Sequence, residues 1–298
     1  MIDCPVCFKS NTRVKFRARN KKTSITESSF TCTSRDRSQP EIIKCYDCKH
    51  EFSNPNDWVS NLHEEYRNVV DVEYASLMAV KNKTFYRASN IVEKFITSGS
   101  SILEIGSYAG LFLKIMSDKG FDVVGIEPSI WGADQSRKLG LKIINSTFEE
   151  TKDLKIQKKF DAVISWDVLE HVINPIEFVS QISSIIKPEG FLIISTLDRT
   201  NWFAKLTGKK WPWIIPMHLH YFDQETIIEI AKNNNLCLME TKAHRHYTTA
   251  FYVLDRLFPR ILGFIPHFLS NSLKLIHFYV GFGDVRYYVF KNEISKKP

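Results

Sequence analysis

The chain has 298 residues and a formal net charge of +7; 44% of the residues are apolar, with 12 glycines and 11 prolines. That balance excludes a disordered or collagen-like chain and allows one large folded domain with a smaller companion. The opening MIDCPVCFKS has no signal-peptide core, and no apolar run reaches the roughly 18 residues of a membrane span, so a cytoplasmic location is expected.

In a reducing compartment six cysteines are thiols or metal ligands. Cys4 and Cys7 form one Cys-x-x-Cys turn, and Cys45 and Cys48 form another. Two such turns supply four thiolates, a closed tetrahedral set that suits a structural Zn2+. A zinc ribbon is therefore expected over residues 1–55, with an inserted hairpin loop around Asn20 to Gln39. Cys32 and His50 are alternative ligands by position. Arg13, Lys15, Arg17 and Arg19 alternate with Val14, Phe16 and Ala18, which on a strand puts four cations on one face. Such a strip meets phosphate groups or stands in water as the outer face of a hairpin.

Residues 56–98 read as a helical lead-in. The stretch SILEIGS then reads as a buried strand, LFLKIMSDKG as an amphipathic helix stopped at Gly120, and FDVVGIEP as a second strand ending at Glu127. Glycines at 106 and 110 let backbone approach a ligand, and an acid at the second strand's tip can accept both hydroxyls of a ribose. Tyr108 stands where a pyrophosphate would need clearance, which favours a cofactor without phosphates. LKIINS is a third strand and FDAVISWDVLEHV a fourth. NPIEFVSQISSIIKPEG is a helix through Ile176, Val179, Ile182 and Ile186, and GFLIISTL is a fifth strand. DQETIIEIAKNNN is a helix capped by Asp223, followed by LCLMETKAH and VRYYVFKN. The alternation predicts an α/β fold with a mainly parallel sheet covered on both faces.

Together ILEIGSYAGLFL, VVGIEPS, FDAVISWDVLEHVINP and IIKPEGFLIIST resemble the class I S-adenosylmethionine-dependent methyltransferases over roughly residues 75 to 245. The resemblance implies a Rossmann-like domain with a seven-stranded sheet over residues 99–298, with an apolar helical insertion at about 247–283. It also implies roles for residues. Glu104 and Gly106 border the methionine part of S-adenosylmethionine, and Gly110 closes the loop. Glu127 holds the ribose, Thr147 and Phe148 flank adenine, and Trp166 and Asp167 line the site. Phe148 and Trp166 are also readable as core aromatics, and His171 as a structural histidine.

The long stretch DRTNWFAKLTGKKWPWIIPMHLHYFD lies where acceptors bind in parallel sheets. Trp202, Trp211 and Trp213 offer flat faces to a sugar ring or a base, and Lys205, Lys209 and Lys210 offer contacts to phosphate. His218 or, first, His220 is the expected base that takes a hydroxyl proton. The apolar segment Phe251–Phe282, divided by Pro259 and Pro266, is expected to pack as short helices or to meet a membrane surface.

Resemblance to ribbon-bearing methyltransferases points first to bacterial sugar and surface-polysaccharide pathways. The acceptor is then a sugar-containing small molecule or glycolipid, with a peripheral contact at the inner face of the membrane. RNA, bound through the basic ribbon, is the alternative partner. A non-catalytic cofactor-binding scaffold is a third reading.

Overall fold

In the computed structural model residues 2–19, 38–58, 62–71, 74–152, 159–257 and 272–293 are described. The ribbon opens with β1 (Thr12–Phe16), β2 (Ile42–Cys45) and β3 (Glu51–Ser53). Two helices follow, α1 (Leu62–Arg67) and α2 (Tyr74–Val92). The alternating part runs β4 (Ser101–Ile105), α3 (Leu111–Asp118), β5 (Asp122–Ile126), α4 (Ile130–Lys138), β6 (Ile143–Ile144), β7 (Phe160–Trp166), α5 (Pro175–Ile185) and β8 (Ile186–Leu197). It continues through α6 (Trp202–Thr207), β9 (His220–Tyr221), α7 (Gln224–Lys232), β10 (Leu236–Ala243), β11 (His246–Thr249), α8 (Ala250–Leu257), β12 (His277–Val280) and β13 (Val285–Asn292).

Seven strands form one sheet in the order β10-β13-β8-β7-β4-β5-β6. The five from β8 to β6 pair in parallel, and β13 is antiparallel to both of its neighbours. A parallel sheet is stable only with both faces covered, and every residue of β4 is buried. Leu103, Val163, Leu192 and Ile194 pack with Phe178, Ile182 and Ile227 of α5 and α7 on one side. Ile102, Ala162, Ile164 and Ile193 pack with Ala88 and Val92 of α2 and Phe112 and Met116 of α3 on the other. The expected Rossmann-like α/β sheet of seven strands is present.

Three local expectations differ. The helix read through Ile186 ends at Ile185, and Ile186 already pairs with Phe160 in the sheet. Pro188 disfavours helical backbone at Lys187, so the apparent periodicity at Ile186 is coincidental. Within the expected helical insertion, β11 and β12 instead form an antiparallel ladder from His246↔Val280 to Thr249↔His277. That ladder packs on α2, where the Tyr247 N–H donates to Thr84 Oγ1 at 2.8 Å. Pro259 and Pro266 lie outside the described residues, as do Cys32 and most of the expected hairpin loop. The ribbon, third, is not self-contained. Its sheet has the order β1-β2-β3-β9, so a strand from beyond β8 completes it.

Candidate active site

At the C-terminal ends of β4, β5 and β7 lies a cavity of about 270 Å³. Its first half is built by the turn after β4. Gly106 has φ +76 and Gly110 φ +74, the left-handed region that glycine enters without penalty. A Cβ on Gly106 would stand 2.5 Å from Val168 Cγ2, so the turn also needs glycine for space. Tyr108 shares the left-handed conformation at φ +46, and its ring rests on Tyr74, with centroids 4.8 Å apart.

This turn aims a backbone donor at the acid on β5. The Tyr108 N–H donates to Glu127 Oε2 at 2.6 Å, and the Ser129 N–H to Oε1 at 2.8 Å. Glu127 is 4% exposed; burial pushes its carboxyl up to about 7, against the pull of those two N–H groups. Glu104 is buried beside it, and desolvation and then the Glu127 charge push it well above the ordinary carboxylate range. Glu104 lines the cavity, and its buried Oε2 has no protein hydrogen-bond partner, so it is left to pair with what the cavity holds. Thr147, Phe148 and Glu149 close this end. Phe148 is also a core residue, edge-on to Phe178 at 5.3 Å.

The second half is assembled from distant segments. Trp166 and Asp167 end β7, Lys81, Thr84 and Phe85 come from α2, Tyr66 from α1, and His244 and His246 from the end of β10 and the start of β11. Asp167, at φ +54, accepts from Ser195 Oγ at 2.6 Å, and its N–H bonds back to Ser195. His244 stacks on Trp166 with centroids 5.2 Å apart and planes at 13°. Burial holds the His244 and His246 rings below their usual range, the latter at about 3, so both are neutral at physiological pH.

His171 also lines this end. Its Nδ1 is 2.9 Å from Met217 O, and a carbonyl only accepts, so Nδ1 carries the proton and Nε2 keeps a bare lone pair. Tyr66 Oη, 2.7 Å from Nδ1, accepts from the same N–H. Burial lowers this ring to about 4, while Met217 O and Asp167 favour its charged form.

His218 and His220, the expected bases, stand behind the cavity wall and do not line it. His218 packs edge-on against His171 at 4.8 Å with Nδ1 on Trp213 O at 2.8 Å. His220 is fully buried, with Nε2 on Val172 O at 2.9 Å and Nδ1 facing His50 Nε2 at 3.1 Å. His218 and His220 are therefore packed side chains, because β9, the edge strand that closes the ribbon sheet, is covered on its other side by the His171 turn. The tryptophans of the long stretch after β8 also miss the cavity, which that stretch reaches through Met217. Trp211 is buried and, with Trp213, donates to Asp284 Oδ2 at 3.0 Å, whereas Trp202 is exposed beside Phe203 and Phe282. Neither these rings nor Lys205, Lys209 and Lys210 are among the lining residues.

The ribbon brings Cys4, Cys7, Cys45 and Cys48 together with all four sulfurs within 4.8 Å of one another. Cys4 and Cys48 Sγ are 3.5 Å apart, and Cys7 and Cys45 Sγ 3.6 Å. Zinc–thiolate bonds of about 2.3 Å at tetrahedral angles put sulfurs about 3.8 Å apart, so the cluster fits Zn2+ and leaves no open position. His50 turns away from it toward His220, and is no ligand in this arrangement. On the outer ribbon face Lys15 is committed to an ion pair with Glu51, which breaks the expected strip of four free cations.

The family described as "Methyltransferase domain" matches residues 80–241. A ubiquinone biosynthesis O-methyltransferase of Pelagibacter ubique is 28% identical over 66% of this chain and 84% of its own length. That of Dictyostelium discoideum is 30% identical, with only 45% of its length covered. A SAM-dependent methyltransferase from Archaeoglobus fulgidus shares the fold, with a TM-score of 0.52 and 14% identity over 74% of this chain and all of the other. With the matched segment spanning the glycine turn, Glu127 and the β7 wall, the chain belongs to the methyltransferase-domain family and is a class I S-adenosylmethionine-dependent methyltransferase carrying an N-terminal cysteine cluster.

Proposed function

We propose that the protein methylates a hydroxyl of a small, ring-shaped acceptor bound between the Trp166–His244 stack and His171, with a structural Zn2+ held by Cys4, Cys7, Cys45 and Cys48. The observation that carries this reading is the division of the cavity into a carboxylate end and a histidine-rich, aromatic end. Glu127 suits the two ribose hydroxyls, and the unpartnered Glu104 Oε2 suits the ammonium of the methionine part. Bound there, S-adenosylmethionine supplies a sulfonium methyl to an in-line displacement.

The chain's own part is to hold the acceptor and take its proton. His171 Nε2 is the available base, since Nδ1–H is committed to Met217 O. Asp167 stabilises the imidazolium that forms, as its favourable effect on the charged ring indicates. Aromatic faces exclude water and orient a flat or cyclic acceptor. A sugar-hydroxyl acceptor stays within this class, but it must use Trp166 and His244, because the tryptophans of residues 202–213 do not line the cavity. RNA is disfavoured by the absence of any residue of the described ribbon from the lining. The O-methyl relatives favour oxygen as the acceptor atom.

The test is incubation with methyl-labelled cofactor and three pools: small phenols and catechols, a nucleotide-sugar and glycolipid extract, and total RNA. Label is expected in a small-molecule pool, and label only in RNA would overturn the reading. His171→Gln is expected to lower kcat about 30-fold while S-adenosylhomocysteine binds unchanged.

A further inference from the structure

The cysteine knuckles and the cavity wall are joined by a continuous path of hydrogen bonds. The N–H of Cys45 donates to His50 O at 2.9 Å. His220 Nε2 sits 2.9 Å from Val172 O, which can only accept, so Nε2 carries the proton and Nδ1 is an acceptor. His50 Nε2–H therefore donates to it across 3.1 Å. The path runs from a metal-binding cysteine through two buried rings to a residue of the cavity lining.

Backbone reinforces it. Strand β3 pairs with β9 through Phe52↔His220, and on the far side of β9 the Leu219 N–H donates to Glu170 O at 2.8 Å. Arg199, from the loop after β8, makes an ion pair with Glu51 of β3 at 3.1 Å, with both side chains under a tenth exposed. A binding module on a tether would share no strand with its catalytic partner. Here the strand that closes the ribbon is the strand on which the His171 turn leans.

We infer that His50 is a positioning residue for methyl transfer: through β9, the metal-loaded ribbon fixes the turn from Asp167 to Val172 against the acceptor end of the cavity. The ribbon touches no acceptor itself. Its contribution is to keep His171 and Asp167 in register with a cofactor end that is built without it. The kinetic consequence rests on the O-methylation reading above, whereas the structural one does not.

His50→Phe keeps a flat ring in the space between Phe52 and Phe222 and removes the donor; His50→Gln restores an N–H of similar reach. In the full-length zinc-loaded protein, hydrogen exchange at the His171 and Leu219 amides is expected to accelerate about tenfold in His50→Phe and to recover in His50→Gln, with β4 amides unchanged. Metal content, read by atomic emission, stays that of the wild type. With whichever small acceptor takes label, the acceptor KM is expected to rise about fivefold in His50→Phe, with cofactor KM unchanged, and to be rescued by Gln. Unchanged wall protection in metal-bearing His50→Phe overturns the inference. So does unchanged wall protection after the wild type is stripped by a chelator, an arm that also serves if His50→Phe does not fold. Accelerated exchange without methylation of any small acceptor would sink the acceptor reading and leave this coupling standing.

Discussion

The two ends of the cavity are made in different ways. The carboxylate end comes chiefly from one run of chain, β4, its glycine turn and the end of β5, closed by Thr147, Phe148 and Glu149, and in it Glu104 and Glu127 stand at the ends of adjacent parallel strands. The histidine end is gathered from the consecutive helices α1 and α2 and from the β7 turn, Met217 and the β10–β11 junction, which lie far apart in sequence. A site made locally carries its geometry in its own backbone. A site made at long range depends on every element that braces it, here including the ribbon.

The largest expected effect isolates the local end. Glu127→Ala removes the acceptor of two backbone N–H groups and, on the proposed reading, of the ribose hydroxyls, and should weaken S-adenosylhomocysteine by about 100-fold, roughly 3 kcal/mol. Because burial already raises this carboxyl to about 7, the protein gives up little folding stability with it. Calorimetric titration beside a melting curve separates the two. A loss of affinity below about threefold would remove Glu127 from the cofactor's contacts.

The brace at the other end responds to acid. His220 titrates at about 4 in the folded chain against its usual 6.5, chiefly through burial. As pH falls below 6.5 the unfolded chain takes up a proton that the native ring refuses until about 4, so stability present above 6.5 is lost across that window. Buried carboxyls with raised values, Glu127 and Glu170 among them, act in the opposite sense over part of the same range. The wild-type profile alone therefore does not isolate His220. Gln in its place can donate to Val172 O and accept from His50 without titrating. Between pH 7.5 and 5, urea unfolding should shift in favour of His220→Gln over wild type by about 2 kcal/mol. Parallel profiles would mean that His220 is not held neutral.

The same contrast explains what the sequence disclosed. The sheet, the glycine turn and Glu127 were legible because strand, turn, helix and acid follow one another at fixed spacing. His218 and His220 drew attention as histidines in a long loop, but whether a ring faces a cavity or a neighbouring strand depends on the β3–β9 pairing, which is set 170 residues away. His244 and His246 carry a weaker signal in the sequence. They alternate about Arg245, which places both on one side of an extended chain directly after β10. The Cys-x-x-Cys turns disclose the four-cysteine cluster at once, yet not that its sheet is completed by β9, from beyond β8.

The smallest effect belongs to a feature that was legible and lies outside both ends. Asp223 caps α7 by accepting from the Thr226 N–H at 2.7 Å, and α7 buries Ile227 and Ile230 in the core beneath the sheet. Asp223→Ala exposes a helix-end donor and should cost about 1 kcal/mol. No α7 residue lines the cavity, so the cofactor end should not feel the change. The cap also follows directly on β9 and Phe222, which packs beside His50 and His220. If fraying of α7 reaches that strand, exchange at the Leu219 amide will rise together with the loss of stability. If the cost is confined to the helix, Leu219 will keep its protection, and the brace of the histidine end begins at the ribbon side of β9.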